Sequence, residues 1–356
     1  MTHSNLHSGL RLHPVNRRKL SRVVRLLSVA TIAVVALAGC GVGEPVDTGR
    51  GNSAGDGTAR VLRVAHVYEA THPVETCGVE TLKDELEGSG ITVESYPAAQ
   101  LGSEAESLEQ VATGALDLAV AGPAFLGVWY EPAAVLDGAY LFEDVEHFVK
   151  TIEGPLMQKI YDDMNEETGI KVLSGWYYGT RQVTSNKPIN GPDDMQGVKI
   201  RTPDAPLYLS NIKIMGGTAT PMALDEVYLA LQQGVIDAQE NPIPTISTAK
   251  LDEVQDYINI TSHMIQGVNL VTNSNLYDSL DDGQKTALDD AMGVAADAVR
   301  VCVETQEEEI LAEWKQDGSI KVNEDVDRDL FAERAREMLP NEVSWGELYK
   351  EIQASK

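Results

Sequence analysis

Between residues 281 and 316 the chain carries one long helical pattern, in which Leu288, Met292, Ala295, Val299, Cys302, Ile310 and Trp314 recur at helical spacing. At 1.5 Å per residue such a helix runs to about 50 Å, longer than a typical domain is wide. A helix of that length most simply spans two lobes. The rest of the chain is therefore expected to supply two cores, and the folded part, about 295 residues, is long enough for both.

The segments ahead of that helix alternate in type. Strand-like stretches at 61–65, 91–96 and 115–120 are separated by helical patterns over 75–87 and after the turn at 100–103. This β-α-β-α-β order argues for a largely parallel sheet flanked by helices. Ligands of such sheets bind outside the carboxyl ends of the strands, which singles out the loops at 66–73, 100–104 and 122–130. A helix is expected over 146–168 and a strand over 170–176, with Arg181 in the loop after it. A further strand at 198–200 delivers Arg201 onto a proline-containing turn. Two helices follow, the second opening at 220–222, and the segment closes on Gln239-Glu240-Asn241-Pro242. A last strand pattern lies near 268–271, and packing helices end the chain. An arginine held at a strand end suits a small anion, because its planar fork matches a carboxylate bidentately. Taken alone, such an arginine is more simply explained as a surface partner of an aspartate.

The N-terminus points to export. Residues 1–39 carry six basic side chains and no acidic one, and 26–38 is an apolar run too short to span a bilayer comfortably. Leu37-Ala38-Gly39 then precedes Cys40, as in the bacterial lipobox, whose cysteine receives a lipid and becomes the mature N-terminus. A signal over 1–39, lipidation at Cys40 and a flexible tether over 40–59, rich in Gly, Ser, Thr and Asp, are expected. They would hold the protein on the outer face of the cytoplasmic membrane. Without the six basic residues of the signal, 22 Lys and Arg face 55 Asp and Glu, a formal charge of −33. That balance argues against nucleic acid as a partner. Cys77 and Cys302 are the cysteines beyond Cys40; they could pair in an oxidising compartment, but no close-spaced motif demands it, and two buried thiols are expected. The sequence offers no metal site, its histidines being scattered, and no dinucleotide or P-loop fingerprint, so no cofactor is expected.

The motifs Gln100-Leu101-Gly102-Ser103-Glu104, Gly179-Thr180-Arg181-Gln182-Val183-Thr184-Ser185-Asn186, Val198-Lys199-Ile200-Arg201-Thr202-Pro203, Thr220-Pro221-Met222, Glu226-Val227-Tyr228-Leu229-Ala230-Leu231-Gln232 and Gln239-Glu240-Asn241-Pro242 occur in that order. Together they resemble the solute-binding subunits of tripartite ATP-independent periplasmic (TRAP) transporters, in the DctP branch, over roughly 60–320. The resemblance implies an α/β, two-lobed, periplasmic-binding-protein-like fold, with hinge strands and a long helix spanning both lobes. It divides the chain into lobe I, 60–178 plus 267–306, and lobe II, 179–266 plus 307–356. It also implies that Arg201 holds a ligand carboxylate, assisted by Asn241 and Arg181.

The rest of the site is less defined. The Gly-Thr-Arg string is similar to that of sialic-acid binders, but Gly122-Pro123-Ala124-Phe125 replaces their Glu-x-x-Arg pair, Leu224 their phenylalanine and Asp204 their asparagine. His66, His72, Glu104 and Asp204 lie in loops expected to face the cleft and suit hydroxyl groups; each also fits a solvated loop or a helix cap. Ser103 in particular suits an N-cap, with Glu104 as a first-turn acid. Trp129, Tyr130, Trp176 and Tyr177 are candidates for stacking on the ligand or for core packing. The expected function is a non-enzymatic receptor for a small organic acid, a sugar acid such as a uronate or aldonate or a C4-dicarboxylate, which hands it to TRAP membrane permease subunits. A ligand-binding module for a sensor and an exported enzyme on a carboxylated sugar, with Glu104 and Asp204 as its acid and base, are the alternatives.

Overall fold

The computed structural model describes residues 59–355. The expected signal over 1–39, Cys40 and all but the last residue of the tether lie outside the described residues.

Nine strands form one sheet among the described residues: β1 (Arg60–Ala65), β2 (Ile91–Tyr96), β3 (Leu118–Ala121), β4 (Ile170–Ser185), β5 (Lys199–Thr202), β6 (Thr218–Pro221), β7 (Ala238–Pro242), β8 (Tyr257–Asn273) and β9 (Lys321–Asn323). Their order is β2-β1-β3-β8-β4-β7-β5-β6, with β9 on β8. β1 runs parallel to β2 and β3, and β5 runs parallel to β6 and β7. Between these two parallel groups β8 and β4 are antiparallel to each other, β8 also to β3 and β4 to β7, while β9 runs parallel to β8; the expected parallel order holds for β1, β2 and β3, and the whole sheet is mixed. Local alternation revealed the outer strands but not the direction of the central pair.

β4 and β8 set the architecture. They are 16 and 17 residues long, which at 3.3 Å per residue is roughly 50 Å each. They pair with each other along most of that length, with register shifts between Val172 and Ser174, Tyr177 and Gly179, and Arg181 and Val183. The expected loop at 177–182 is therefore strand. Gly179 takes a φ of +126° there, and a Cβ at that position would fall 2.7 Å from Pro242, so glycine alone fits.

The long helix is Asp282–Asp317, close to the expected span. Asp281 caps it, accepting from the Gln284 N–H while the Gln284 side chain returns to the Asp281 N–H. Gly318, at a φ of +71°, ends it. Leu288, Met292, Ala295 and Val299 pack into the larger core cluster with β1 and β3, whereas Trp314 joins a second cluster with Val227, Ile246 and Ile258. One helix thus braces both cores of a two-lobed α/β fold. Burying each such aliphatic side chain stabilises the fold by about 1.5–3 kcal/mol.

Two local expectations are corrected. The helix expected over 146–168 is two, Val145–Ile152 and Pro155–Thr168, because Gly154 and Pro155 start a new helix. Cys77 and Cys302 are not free thiols but a disulfide, with Cα atoms 6.6 Å apart. The long helix folds back over the segment that carries Cys77, a proximity that a sequence separation of 225 conceals.

Candidate functional site

Arg201 is in β5, paired to β6 through Thr220 and to β7 through Gln239. It is 3% exposed. Its Nε and Nη2 both donate to the Met222 carbonyl, at 3.0 and 2.8 Å. No carboxylate forms an ion pair with it among the described residues. Burial lowers its pKa to about 10, against the attraction of Glu240, so it remains a cation at neutral pH. The guanidinium has one edge tied to the Met222 carbonyl and is itself part of the lining of a cavity. The surface pair with an aspartate, open from sequence, is absent.

Arg181 is equally buried but differently employed. Its Nε and Nη2 engage the two carboxylate oxygens of Glu240, Nη2 also donates to the Glu240 carbonyl, and Nη1 donates to Gln266 Oε1 at 2.7 Å. Glu240 further receives His263 Nε2 at 3.1 Å. Burial alone would raise the Glu240 carboxyl, but the Arg181 charge and the His263 N–H outweigh it and hold it at about 2. Burial likewise opposes the Arg181 cation, and Glu240 outweighs that too.

Glu104 opens the helix Glu104–Ala112, and Ser103 is its N-cap in a capping box with Glu106. The expected capping by Ser103 is thus observed, and Glu104 does something further: its Oε1 accepts the Gly122 N–H at the end of β3. Burial raises this carboxyl to about 7, with the Asp137 charge adding to the shift and Arg201 opposing it. Asp137 is fully buried beside it. Its Oδ2 accepts from the Ala124 N–H at 2.8 Å and from Tyr208 Oη at 3.0 Å, and its Oδ1 accepts from Gln266 Nε2 at 3.0 Å. Burial raises Asp137 to about 6 in spite of those bonds.

Glu104, Arg181, Arg201, Asn241, Tyr178 and Tyr208, among others, border a small cavity, whose lining does not include Asp137 or Glu240. Val67 and Tyr68 follow β1, Gly122 follows β3 and Pro203 follows β5, so part of the lining comes from the carboxyl ends of parallel strands, as expected, while Tyr178, Arg181 and Gln266 come from within the antiparallel pair β4 and β8. A neighbouring small cavity shares Val67, Tyr68 and Leu224 with it and reaches His72.

Asn241 is buried in β7, where its Nδ2 donates to Gln239 and its Oδ1 accepts from Tyr178. Tyr178 Oη in turn accepts from Thr245 Oγ1 at 2.6 Å. His72 completes the chain: its Nδ1 accepts the Val74 N–H, leaving Nε2 to donate to Thr245 at 3.0 Å. Burial lowers the His72 pKa to about 3, so the ring is neutral. His66 is turned away from the cavity lining onto Glu75, 2.8 Å from its Nε2. Asp204 is exposed and does not line the cavity.

Trp176 and Tyr177 are core residues, and Trp129 and Tyr130 lie outside the lining. The aromatic walls are instead Tyr68, Tyr178 and Tyr208. Sequence reasoning also missed Asp137, Gln266 and the role of Glu240. Glu240 stands within a quoted motif and was legible there as a carboxylate beside Asn241; Asp137 and Gln266 lie in stretches that carried no signal.

The model of the DctP family, bacterial extracellular solute-binding protein family 7, matches residues 64–344. Over 239 residues, covering 67% of this chain and 74% of the relative, the sequence is 35% identical to the sialic acid-binding periplasmic protein SiaP of Vibrio cholerae. Among solved structures, a TRAP periplasmic solute-binding protein from Roseobacter denitrificans with bound L-galactonate superposes with a TM-score of 0.78 at 26% identity, covering 83% of this chain and 99% of that one. One from Polaromonas bound to D-erythronate gives 0.78 at 29% identity, with 83% and 99% covered. With a family match across most of its length and the two-lobed fold of these structures, this chain belongs to the DctP family of TRAP solute-binding proteins.

Proposed function

We propose that the protein is an extracytoplasmic receptor that clamps the carboxylate of a small hydroxylated acid on Arg201 and delivers it to TRAP membrane permease subunits. The observation that carries this is the Arg201 guanidinium: buried, without an ion pair among the described residues, and facing a cavity. An uncompensated buried cation is costly, and a ligand carboxylate supplies the missing charge and hydrogen bonds. Asn241 and Arg181 border the same cavity, and Glu104 suits a ligand hydroxyl. The ligands bound to the two solved relatives, galactonate and erythronate, favour a sugar acid; a C4-dicarboxylate is the second candidate.

We further place the lobe division at 60–178 plus 267–306 and 179–266 plus 307–356, which the paired crossing strands β4 and β8 support. Ligand touching both lobes would favour the closed state by its greater affinity for it. The basic and apolar start of the chain supports export, with Cys40 carrying a lipid.

A thermal-shift panel of uronates, aldonates, C4-dicarboxylates and sialic acid tests the assignment. A true ligand at a hundred times its dissociation constant adds about 2.7 kcal/mol of stability. Arg201→Ala should abolish the shift for every carboxylate, and an unchanged shift would overturn the assignment.

A further inference from the structure

Gln239 stands in the same motif as Asn241 but lines neither cavity. It is fully buried in β7, opposite Thr184 on β4 and Arg201 on β5. Its Nε2 faces Thr184 Oγ1 at 3.0 Å and its Oε1 faces Asn241 Nδ2 at 2.7 Å. A side-chain amide turned end for end keeps its shape, so its partners alone decide which end points where.

Backbone groups make that decision here. The Asp256 N–H donates to Asn186 Oδ1 at 3.2 Å, so what Gln255 brings to the same oxygen is its Nε2, also at 3.2 Å. That nitrogen donates to the Val254 carbonyl as well, at 3.1 Å. Gln255 Oε1 then accepts the Thr184 hydroxyl at 3.2 Å. Thr184 has one proton and has spent it, so its oxygen takes the Gln239 N–H, and Gln239 Oε1 is left to accept from Asn241.

A second arm reaches Asn241 from the other side. The Val74 N–H fixes His72, and the bonds through Thr245 and Tyr178 bring the Tyr178 proton to Asn241 Oδ1. The two arms start from different backbone N–H groups and agree: the Asn241 oxygen accepts and its nitrogen donates. Gln239 holds Asn241 at 2.7 Å and Tyr178 at 3.3 Å, so Gln239 is the firmer hold. It takes one of the two N–H bonds of Nδ2; the other has no partner among the described residues, and Asn241 lines the cavity together with Arg201.

We propose that Gln239 is a positioning residue for ligand binding: locked by Thr184 and Gln255, it fixes the Asn241 amide so that an N–H, and not the carbonyl oxygen, meets the ligand. The inference rests on the receptor function proposed above and deepens it. A carboxylate held by Arg201 only accepts hydrogen bonds, and a turned Asn241 amide would set one oxygen against another.

L-galactonate, D-erythronate and succinate are the probes, with dissociation constants of the full chain measured by calorimetry. For any that binds, Gln239→Met should weaken binding about tenfold, the worth of one charge-assisted hydrogen bond. Thr184→Val, far from the ligand, should act in the same direction, and Thr184→Ser, which keeps the hydroxyl, should recover the affinity. In an Asn241→Ala background neither Gln239→Met nor Thr184→Val should weaken binding further, because the group they orient is gone. A merely structural role would carry the same penalty into that background. On the unaltered protein, side-chain amide NMR gives a readout that no variant's folding can spoil: saturation with the acid should shift one Asn241 Nδ2 proton more than the one held by Gln239. Equal penalties in both backgrounds, or an Asn241 amide that does not respond to a bound acid, would overturn this inference and leave the receptor function standing. No binding of these probes or of any acid in the thermal-shift panel would overturn both.

Discussion

Arg181 and Glu240 form a bidentate ion pair diagonally across the β4–β7 ladder, with both side chains 2% exposed. The pair joins the two strands beside the cavity and presents Arg181 Nη1 to Gln266, which in turn donates to Asp137. Removing one partner leaves the other charge buried and alone. Glu240→Gln should therefore lower stability by about 3–5 kcal/mol, measured by chemical denaturation without ligand. A loss under 1 kcal/mol would show that water reaches the pair.

Arg201 should behave in the opposite way. Its hydrogen bonds go to one carbonyl and it balances no carboxylate, so Arg201→Ala should leave the ligand-free melting temperature within a few degrees of the parent. Binding should weaken at least a hundredfold, because two charge-assisted hydrogen bonds at about 1.5–3 kcal/mol each are lost. Arg201→Lys should recover only part of this, since an ammonium lacks the planar fork. A ligand-free protein strongly destabilised by Arg201→Ala would mark the residue as structural.

The Cys77–Cys302 disulfide ties the segment ahead of the first α-helix to the long helix. Cys302→Ser, or reduction of the native protein, should lower stability by about 2–5 kcal/mol. Thiol titration of the folded protein should find neither cysteine reactive. Labelling of either one before reduction would contradict the pairing.

Glu104 makes stability depend on pH. Its folded value, about 7, lies above the ordinary 4.5, so the folded state binds the proton more tightly than the unfolded state does. The group is neutral in its effect below about 4.5, and it destabilises progressively as pH rises through 7. Glu104→Gln should flatten the fall in melting temperature between pH 5 and 8 in the ligand-free protein. An unchanged slope would assign that fall to other groups.

Much of this architecture was legible in local sequence. The helix Asp282–Asp317 could be read because its period and its capping residues are properties of neighbours along the chain. The outer strands, the capping by Ser103 and the placement of the cavity at strand carboxyl ends followed from the same kind of information. Arg201, Arg181 and Asn241, which border the cavity, stand in motifs that could be read directly in sequence.

What the chain could not announce was who meets whom over long separations. Arg181 looked like a second free cation because nothing near it in sequence cancels its charge; β4 and β7, 59 residues apart at this contact, bring Glu240 against it. Asp137 carried no motif, and it meets Glu104 and Tyr208 beside Gly122 only because three elements converge there. Cys77 and Cys302 paired only once the long helix folded back. Asp204, placed by sequence beside Arg201, faces solvent. By itself the sequence determined most of the elements and put an arginine at the end of each of two strands, because hydrophobic periodicity and capping act over a few residues; that both lie buried within strands only the fold showed. The tertiary structure alone decided which arginine is left unmatched, because the charge of a buried site is the sum of groups drawn together from distant parts of the chain.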